Sequence, residues 1–413
     1  MTQELQSPPQ ARLRSHTKFV LLSSLYTSQF LPSAFFFQAL PIFLRQQGAS
    51  LQVIGLMGLL TLPWMLKFLW APLVDLYGWP RWGHYKSWIV ATQSLLVLTL
   101  IICSQINASD NAGLLFGGVL LVVTLAATQD IATDALAIGL LAPHERGWGN
   151  GIQSAGRAVG GILGGGVMLL LLNRVGWQVS VWILAGGVLL ALLPLLWHQE
   201  ARRPPAQAVV FRSVPAYLDT LLDFFRRPGV FPWLVFILLY ATGSSMAATM
   251  FRPLLVDIGL SMADIGWMSG IVGSSAAIIG SLLAGGIIQP LGRQRALVCF
   301  GLLQAVAVMA LMLPAMGITH PVVLYAVSIG EVFARSLAST ALFTVMMDKS
   351  RRQTAGSDYT LQSSVYIVGH HVGIPALSGF IAAAVGYTGV FLIGFGVCLA
   401  SVWLATQILS DQR

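Results

Sequence analysis

The sequence predicts an all-α membrane protein of twelve transmembrane helices arranged as two pseudo-symmetric six-helix bundles. Three observations carry that prediction. Hydrophobic residues fill 56% of the 413 positions and charged residues only 9%, against about 25% charged in an average soluble domain. The apolar residues run in windows long enough to cross a hydrocarbon core of about 30 Å as helices of about 20 residues. Two pairs of segments on either side of a polar middle stretch also repeat at nearly one offset.

Taken in order, the spans fall near 19–44, 51–74, 87–106, 112–141, 149–172 and 177–197, then 230–256, 264–289, 296–316, 320–347, 358–382 and 387–409. The first follows a basic segment with Arg12, Arg14 and Lys18. It is too long for a signal-peptide core and lacks a small-residue cleavage site, so it is expected to stay as a helix. Between the sixth and seventh spans lies the longest polar stretch, 199–229, rich in Arg and Pro. This gives an N-terminal bundle over 1–198, a cytoplasmic linker over 199–229 and a C-terminal bundle over 230–413.

Orientation follows from the basic residues. With the N-terminus inside, 17 of the 23 Lys and Arg residues fall on the inner side and two, Arg45 and Arg174, on the outer side. Such asymmetry predicts both termini in the cytoplasm, with the inner membrane of a bacterium as the expected location. The net charge of +8 is therefore read as a topology signal and not as a nucleic-acid-binding surface. Cys103, Cys299 and Cys398 stand far apart in apolar runs, without metal or redox spacing. No metal site and no cofactor are expected, and no P-loop, HExxH or GxSxG motif points to an enzyme.

The repeats are short but consistent. Gly48 to Gly58 aligns with Gly259 to Ser269 at an offset of 211, and Gln153 to Gly165 aligns with Gln362 to Ile374 at 209. Both pairs straddle the linker, which predicts a duplicated chain.

These features resemble the major facilitator superfamily, and the resemblance covers almost the whole chain. The loop after the second span, Ala71 to Ser87, carries an Asp, a Gly and basic residues as that superfamily's motif does; its counterpart, Gln289 to Arg295, lacks the acid. Lys67 to Asp75, Gln129 to Leu136, Glu145 to Gly147 and Gly149 to Gln153 are similar to the branch with the muropeptide permeases and acetyl-coenzyme A transporters. The compact length looks most like that branch's siderophore permeases. The resemblance implies a monomeric transporter whose two bundles rock about a central site. Its expected partners are the lipid bilayer, protons and a small-molecule substrate, a ferric siderophore such as ferric pyochelin first. A muropeptide, or a drug or metabolite exported by the same fold, is the alternative.

Charged side chains within spans cost roughly 3 kcal/mol or more if unpaired, so they mark function or internal pairing. Asp130 and Asp134 share a helical face, and with Glu331 are expected to carry protons. Lys67 is placed to neutralise Asp134, and Arg335 to pair with Glu331 four residues away. Arg157, Arg252 and Arg335 suit an anionic solute. Gln29, Phe36, Lys67 and His370 complete the expected binding set; a structural role for each is the alternative. Asp75, Arg81 and Arg146, at the cytoplasmic surface, are expected to latch the bundles. Glycine stripes at 156, 160 and 164 and at 273 and 285 predict that the fifth and eighth helices slide on each other.

Overall fold

The computed structural model describes residues 15–46, 57–79, 81–106, 111–200, 222–372 and 374–410. Most of the expected linker and most of the first repeat segment, Gly48 to Gly58, lie outside these residues. Among the described residues nine helices are long and apolar enough to cross a membrane. Two of them contain a sharp corner, and a further span is broken into short pieces, which accounts for twelve.

In chain order, α1 is Ser15–Leu44 and α2 comprises Leu59–Leu69 followed by Ala71–Leu76. Next come α3, His84–Ser104, and α4, Ala112–Leu140. The single element Arg146–Trp197 turns at Gly176 and so supplies α5 before it and α6 after it. The second bundle holds α7 (Val230–Asp257), α8 (Asp264–Leu291), α9 (Arg293–Ala315) and α10 (Pro321–Lys349). It closes with α11, which starts at Ala355–Ile367 and runs through Val368–Val372 into Ile374–Ser410, where Gly386 turns the chain into α12.

The corners reveal the duplication more clearly than the sequence does. Gly83 (φ 107, ψ 144) opens α3, and Gly292 (φ 85, ψ 153), 209 positions later, opens α9 in the same conformation. Gly176 (φ 75, ψ −179) and Gly386 (φ 72, ψ 174) repeat the match at 210 positions. A Cβ is poorly tolerated at such positive φ values, so each half makes its corners where a glycine permits them. The second span departs from the continuous helix expected over 51–74. Pro63 and Pro72 each sit in the first turn of a short piece, and a 3₁₀ turn at Lys67–Leu69 separates them. Proline lacks the N–H that would continue the ladder.

Packing explains the overall shape. One core is common to both bundles at the end near the termini, joining Leu22 of α1 and Ile138 of α4 to Phe236 of α7, Met346 of α10 and Tyr359 of α11. Toward the opposite end there are two separate cores, one built only from the first half and one only from the second. The bundles thus meet at the terminal end and part toward the other, leaving a crevice between them. The outer wall displays exposed apolar side chains such as Leu98, Leu170, Val306, Phe380 and Trp403, as a wall facing lipid requires.

The glycine stripe on α5 serves a different contact from the one expected. Gly156, Gly160 and Gly164 face α1, where a Cβ on Gly164 would stand 2.1 Å from the Leu31 carbonyl oxygen. It is Gly147 and Gly151 that meet α8: a Cβ on Gly151 would lie 2.6 Å from the carbonyl oxygen of Ser281. The step of five residues from 151 to 156 rotates about 140° around the helix. One glycine set therefore faces the opposite bundle, and the other packs inside its own.

Candidate functional site

The site begins with α4, whose Asp130 and Asp134 are both buried. Asp130 takes the Lys67 ammonium of α2 as an ion pair and accepts a hydrogen bond from Gln29 of α1. Lys67 is 1% exposed and also lies 5.5 Å from the Trp64 ring centroid. Two charges removed from water are tolerable because each is answered by the other, Asp130 by the added Gln29 hydrogen bond and Lys67 by the Trp64 ring. The bridge is to Asp130, not to Asp134 as expected. Residues four apart share a face, but only the carboxylate level with the broken α2 helix reaches its lysine.

Asp134 takes its hydrogen bonds from neutral groups. Its Oδ1 accepts from the Tyr26 hydroxyl of α1 at 3.0 Å and from Gln153 Nε2 of α5 at 2.9 Å. Gln153 Oε1 in turn accepts from the Tyr359 hydroxyl of α11 at 3.3 Å. A buried acid of the first bundle is thereby connected through one amide to the second bundle. Sequence reasoning missed both Gln153 and Tyr359 as site residues, although Gln153 opens one of the two repeat segments.

One helical turn beyond Gln153, Arg157 points into the crevice. Its guanidinium carbon lies 4.8 Å from the Phe30 centroid of α1 and 5.7 Å from that of Phe343 on α10. Arg157 is exposed although about 16 Å along α5 from Arg146. That combination places it in a hydrated gap between the bundles. Rings continue the row on both sides. Phe30 stacks near Trp64 at 6.2 Å, Phe343 meets Tyr366 edge-on at 4.7 Å, and Tyr366 stacks on His370 at 5.4 Å. His370 Nδ1 shares a hydrogen bond with Ser245 of α7. Cations over ring faces gain about 0.5–2 kcal/mol, so this row both spans the floor and presents charge to it.

The other expected residues are dispersed. Arg335 Nε bonds Glu331 at 2.8 Å, and its side chain is 27% exposed while that of Glu331 is buried. Arg252 is exposed, in the half of α7 remote from the termini. Phe36 corrects the expectation of a ring facing the solute: it is 1% exposed, packed edge-on against Phe35 in the first bundle's own core. Phe30, six residues earlier, occupies the crevice in its place.

At the terminal end hydrogen bonds and ion pairs tie the two bundles together. Asp75 accepts from the N–H groups of Gly356 at 2.9 Å and Ser357 at 2.7 Å, and from the Ser357 hydroxyl at 2.7 Å, satisfying the free donors that open α11. Tyr85 holds the same carboxylate at 2.7 Å. Arg146 pairs with Asp348 of α10 at 2.7 Å, and Arg293 of α9 takes the other oxygen of that carboxylate at 2.7 Å. Arg81 lies elsewhere, lining a cleft between the start of α3 and the end of α6 within the first bundle.

Comparison with known proteins agrees with this architecture. The profile of the Major Facilitator Superfamily matches residues 22–374. An uncharacterized Haemophilus influenzae protein is 32% identical over 368 residues, covering 85% of this chain and 84% of its own. The anhydromuropeptide permease of Escherichia coli K12 is 26% identical over 385 residues, covering 92% of this chain and 77% of that one. Among solved structures, a bacterial homologue of the iron transporter ferroportin in an outward-facing state superposes with a TM-score of 0.72 at 15% identity, covering 96% of this chain and 100% of that one. The Escherichia coli fucose:proton symporter superposes with a TM-score of 0.71 at 15% identity, covering 94% and 98%. The chain belongs to the Major Facilitator Superfamily and is a multi-pass membrane transporter, not an enzyme.

Proposed function

We propose that this transporter imports a saccharide-peptide of the anhydromuropeptide class across the bacterial inner membrane, driven by protons. The observation that carries the reading is Arg157, held between Phe30 and Phe343 at the floor of the crevice. A muropeptide joins sugar rings, whose apolar faces stack on aromatic side chains, to a short peptide with free carboxylates. A guanidinium flanked by rings offers both kinds of contact. The 26% identity to a protein named for that substrate, over 92% of this chain, supports the same choice. A ferric siderophore, the first expectation from chain length, has no comparable support among the relatives named above.

Proton coupling follows from charge balance. With Asp134 ionised, Lys67 and Arg157 are matched by Asp130 and Asp134, and Arg335 by Glu331. Protonating Asp134 leaves one positive charge unmatched near Arg157, which favours a carboxylate there. Proton and anionic solute then bind together and travel together. The basic-residue asymmetry assigns the latched terminal end to the cytoplasm, so the crevice faces outward.

The test is uptake of radiolabelled anhydromuropeptide and of ferric pyochelin by cells lacking their own permeases. Accumulation of the muropeptide that collapses with a protonophore is expected. Accumulation of the chelate alone would overturn the substrate class.

A further inference from the structure

A second polar site lies away from the crevice, at the latched end. A cleft of about 600 Å³ opens between the first turn of α3 and the last turn of α6, lined by Arg81, Trp82, Lys86, Leu196, His198 and Glu200. Two of its charges are already used in holding the helices together. Lys86 Nζ donates to the carbonyl oxygens of Leu196 at 2.9 Å and His198 at 2.7 Å, closing the end of α6. The Glu200 carboxylate accepts from the N–H groups of Tyr85 at 3.2 Å and Lys86 at 2.8 Å, closing the start of α3.

Two groups remain uncommitted. Arg81 is exposed and has no ion pair among the described residues. His198 is 7% exposed, yet among the described residues its Nδ1 has no hydrogen-bond partner. A buried polar nitrogen left unpaired costs roughly 1–3 kcal/mol, so it calls for a partner. Burial and the neighbouring Lys86 charge push this imidazole below the ordinary histidine range. That favours the neutral imidazole, whose Nδ1 can carry the hydrogen and donate it to a ligand, while Arg81 supplies the cation.

The surroundings place the cleft at a membrane surface. Trp82 is 64% exposed, and Trp79 and Trp197 are exposed beside it; tryptophans with an exposed ring are enriched at the level of lipid headgroups. Leu193 and Leu196 continue an exposed apolar strip from the mouth of the cleft along α6, as a path for acyl chains requires.

We propose that this cleft binds the phosphate of a membrane phospholipid, with Arg81 and His198 as its ligands and the acyl chains lying along the end of α6. Both ligands belong to the first bundle, so a bound lipid ties the α2–α3 loop, which begins just after the Asp75 latch, to α6.

The test uses the full chain, purified with delipidation and re-supplied with phosphatidylglycerol, with bound lipid counted by native mass spectrometry. Wild type is expected to retain one phospholipid at about tenfold lower lipid concentration than Arg81→Gln or His198→Phe, the loss typical of a hydrogen bond to a charged group. Arg81→Lys should restore part of the retention. Arg295→Gln, which removes an exposed arginine of the second bundle, should retain lipid as wild type does, and gel filtration verifies the fold of every variant. Equal retention by wild type, Arg81→Gln and His198→Phe overturns the proposal. Displacement of the lipid by millimolar inorganic phosphate, with phosphate alone raising thermal stability as much as the lipid, overturns the lipid assignment in favour of a free-phosphate site.

Discussion

The Tyr359 hydroxyl of the second bundle donates to Oε1 of Gln153 in the first, and the same amide donates from Nε2 to Asp134. An amide oriented in this way reports the state of the acid. While Asp134 is a carboxylate it accepts, the amide N–H faces it, and the amide oxygen is left for Tyr359. A protonated Asp134 carries a donor of its own and no longer fixes that orientation.

Tyr359→Phe is therefore expected to keep the ring packed and the protein folded while removing the link. One buried hydrogen bond contributes about 1 kcal/mol, so the latched form should lose roughly a fivefold preference. Spin-label distances across the terminal end, measured from pH 8 to pH 5, should lose most of their pH dependence in this variant. A wild-type pH response in Tyr359→Phe would remove Gln153 and Tyr359 from the coupling route.

Asp134→Asn should abolish gradient-driven accumulation and leave counterflow exchange intact, because the neutral side chain mimics the protonated state throughout the cycle. If proteoliposomes of this variant accumulate solute at the wild-type level, Asp134 is only a structural partner of Tyr26 and Gln153.

At Arg157, lysine is not a conservative replacement, since a point charge cannot stack between Phe30 and Phe343 as a planar guanidinium does. Arg157→Lys is expected to weaken solute binding by about tenfold and Arg157→Gln by more, corresponding to roughly 1.4 kcal/mol or above. Isothermal titration in detergent at fixed pH reads the difference. Unchanged affinity in both variants would take Arg157 out of the binding site.

Gly151 stands where the bundles touch, and a Cβ there would meet backbone, which cannot swing away. Gly151→Val should force the terminal end apart. With Met347→Cys as a reporter, in a background where the exposed native Cys299 is replaced, maleimide labelling of the buried position should rise severalfold, from a residue that is fully covered in the latched form.

Glu145, in the loop before α5, gives a pH signature. Burial alone would raise its carboxyl, but hydrogen bonds from Lys18, the Ala142 N–H and Ser15 outweigh burial and hold it below the ordinary glutamate range. Its stabilising contribution is thus fully present above the unfolded value of about 4.3 and is lost as pH falls through the lower folded value. Glu145→Gln should lower the unfolding temperature at pH 7, with the gap to wild type narrowing as pH falls below about 4.3. A constant gap between the two melting curves down to pH 3.5 would contradict this assignment.

Much of the architecture was legible because lipid leaves a chain few choices. Apolar run length follows from backbone groups that must bond internally, and the paired offsets follow from a duplicated chain. The site was legible only as a set of charges. Nothing in the spacing of Asp130 and Asp134 says which of them faces Lys67, because that depends on where α2 breaks. Phe36 was expected to face the crevice from the middle of a cavity-lining helix, but the π-turn at Phe35–Ala39 changes which ring faces inward. Arg81 belongs to a motif expected to latch the bundles, yet the tight turn at Gly83 directs its loop toward α6. Gln153 and Tyr359 are neutral, and a search for charged residues in helices passes over them.

The matched corners at Gly83 and Gly292, and at Gly176 and Gly386, bear on how such a protein came to be. A duplicated gene starts with two equivalent sets of side chains on two equivalent frames. Here the frames have stayed alike while the chemistry has diverged: 209 positions after Asp134 stands Phe343, and 209 after Arg157 stands Tyr366. One copy holds the buried acid, and the other contributes Phe343, whose ring lies against the first copy's arginine. Neither half retains a complete site, so an isolated half would inherit the fold without the function. Ancestry of this kind predicts that activity returns only when the two halves are expressed together.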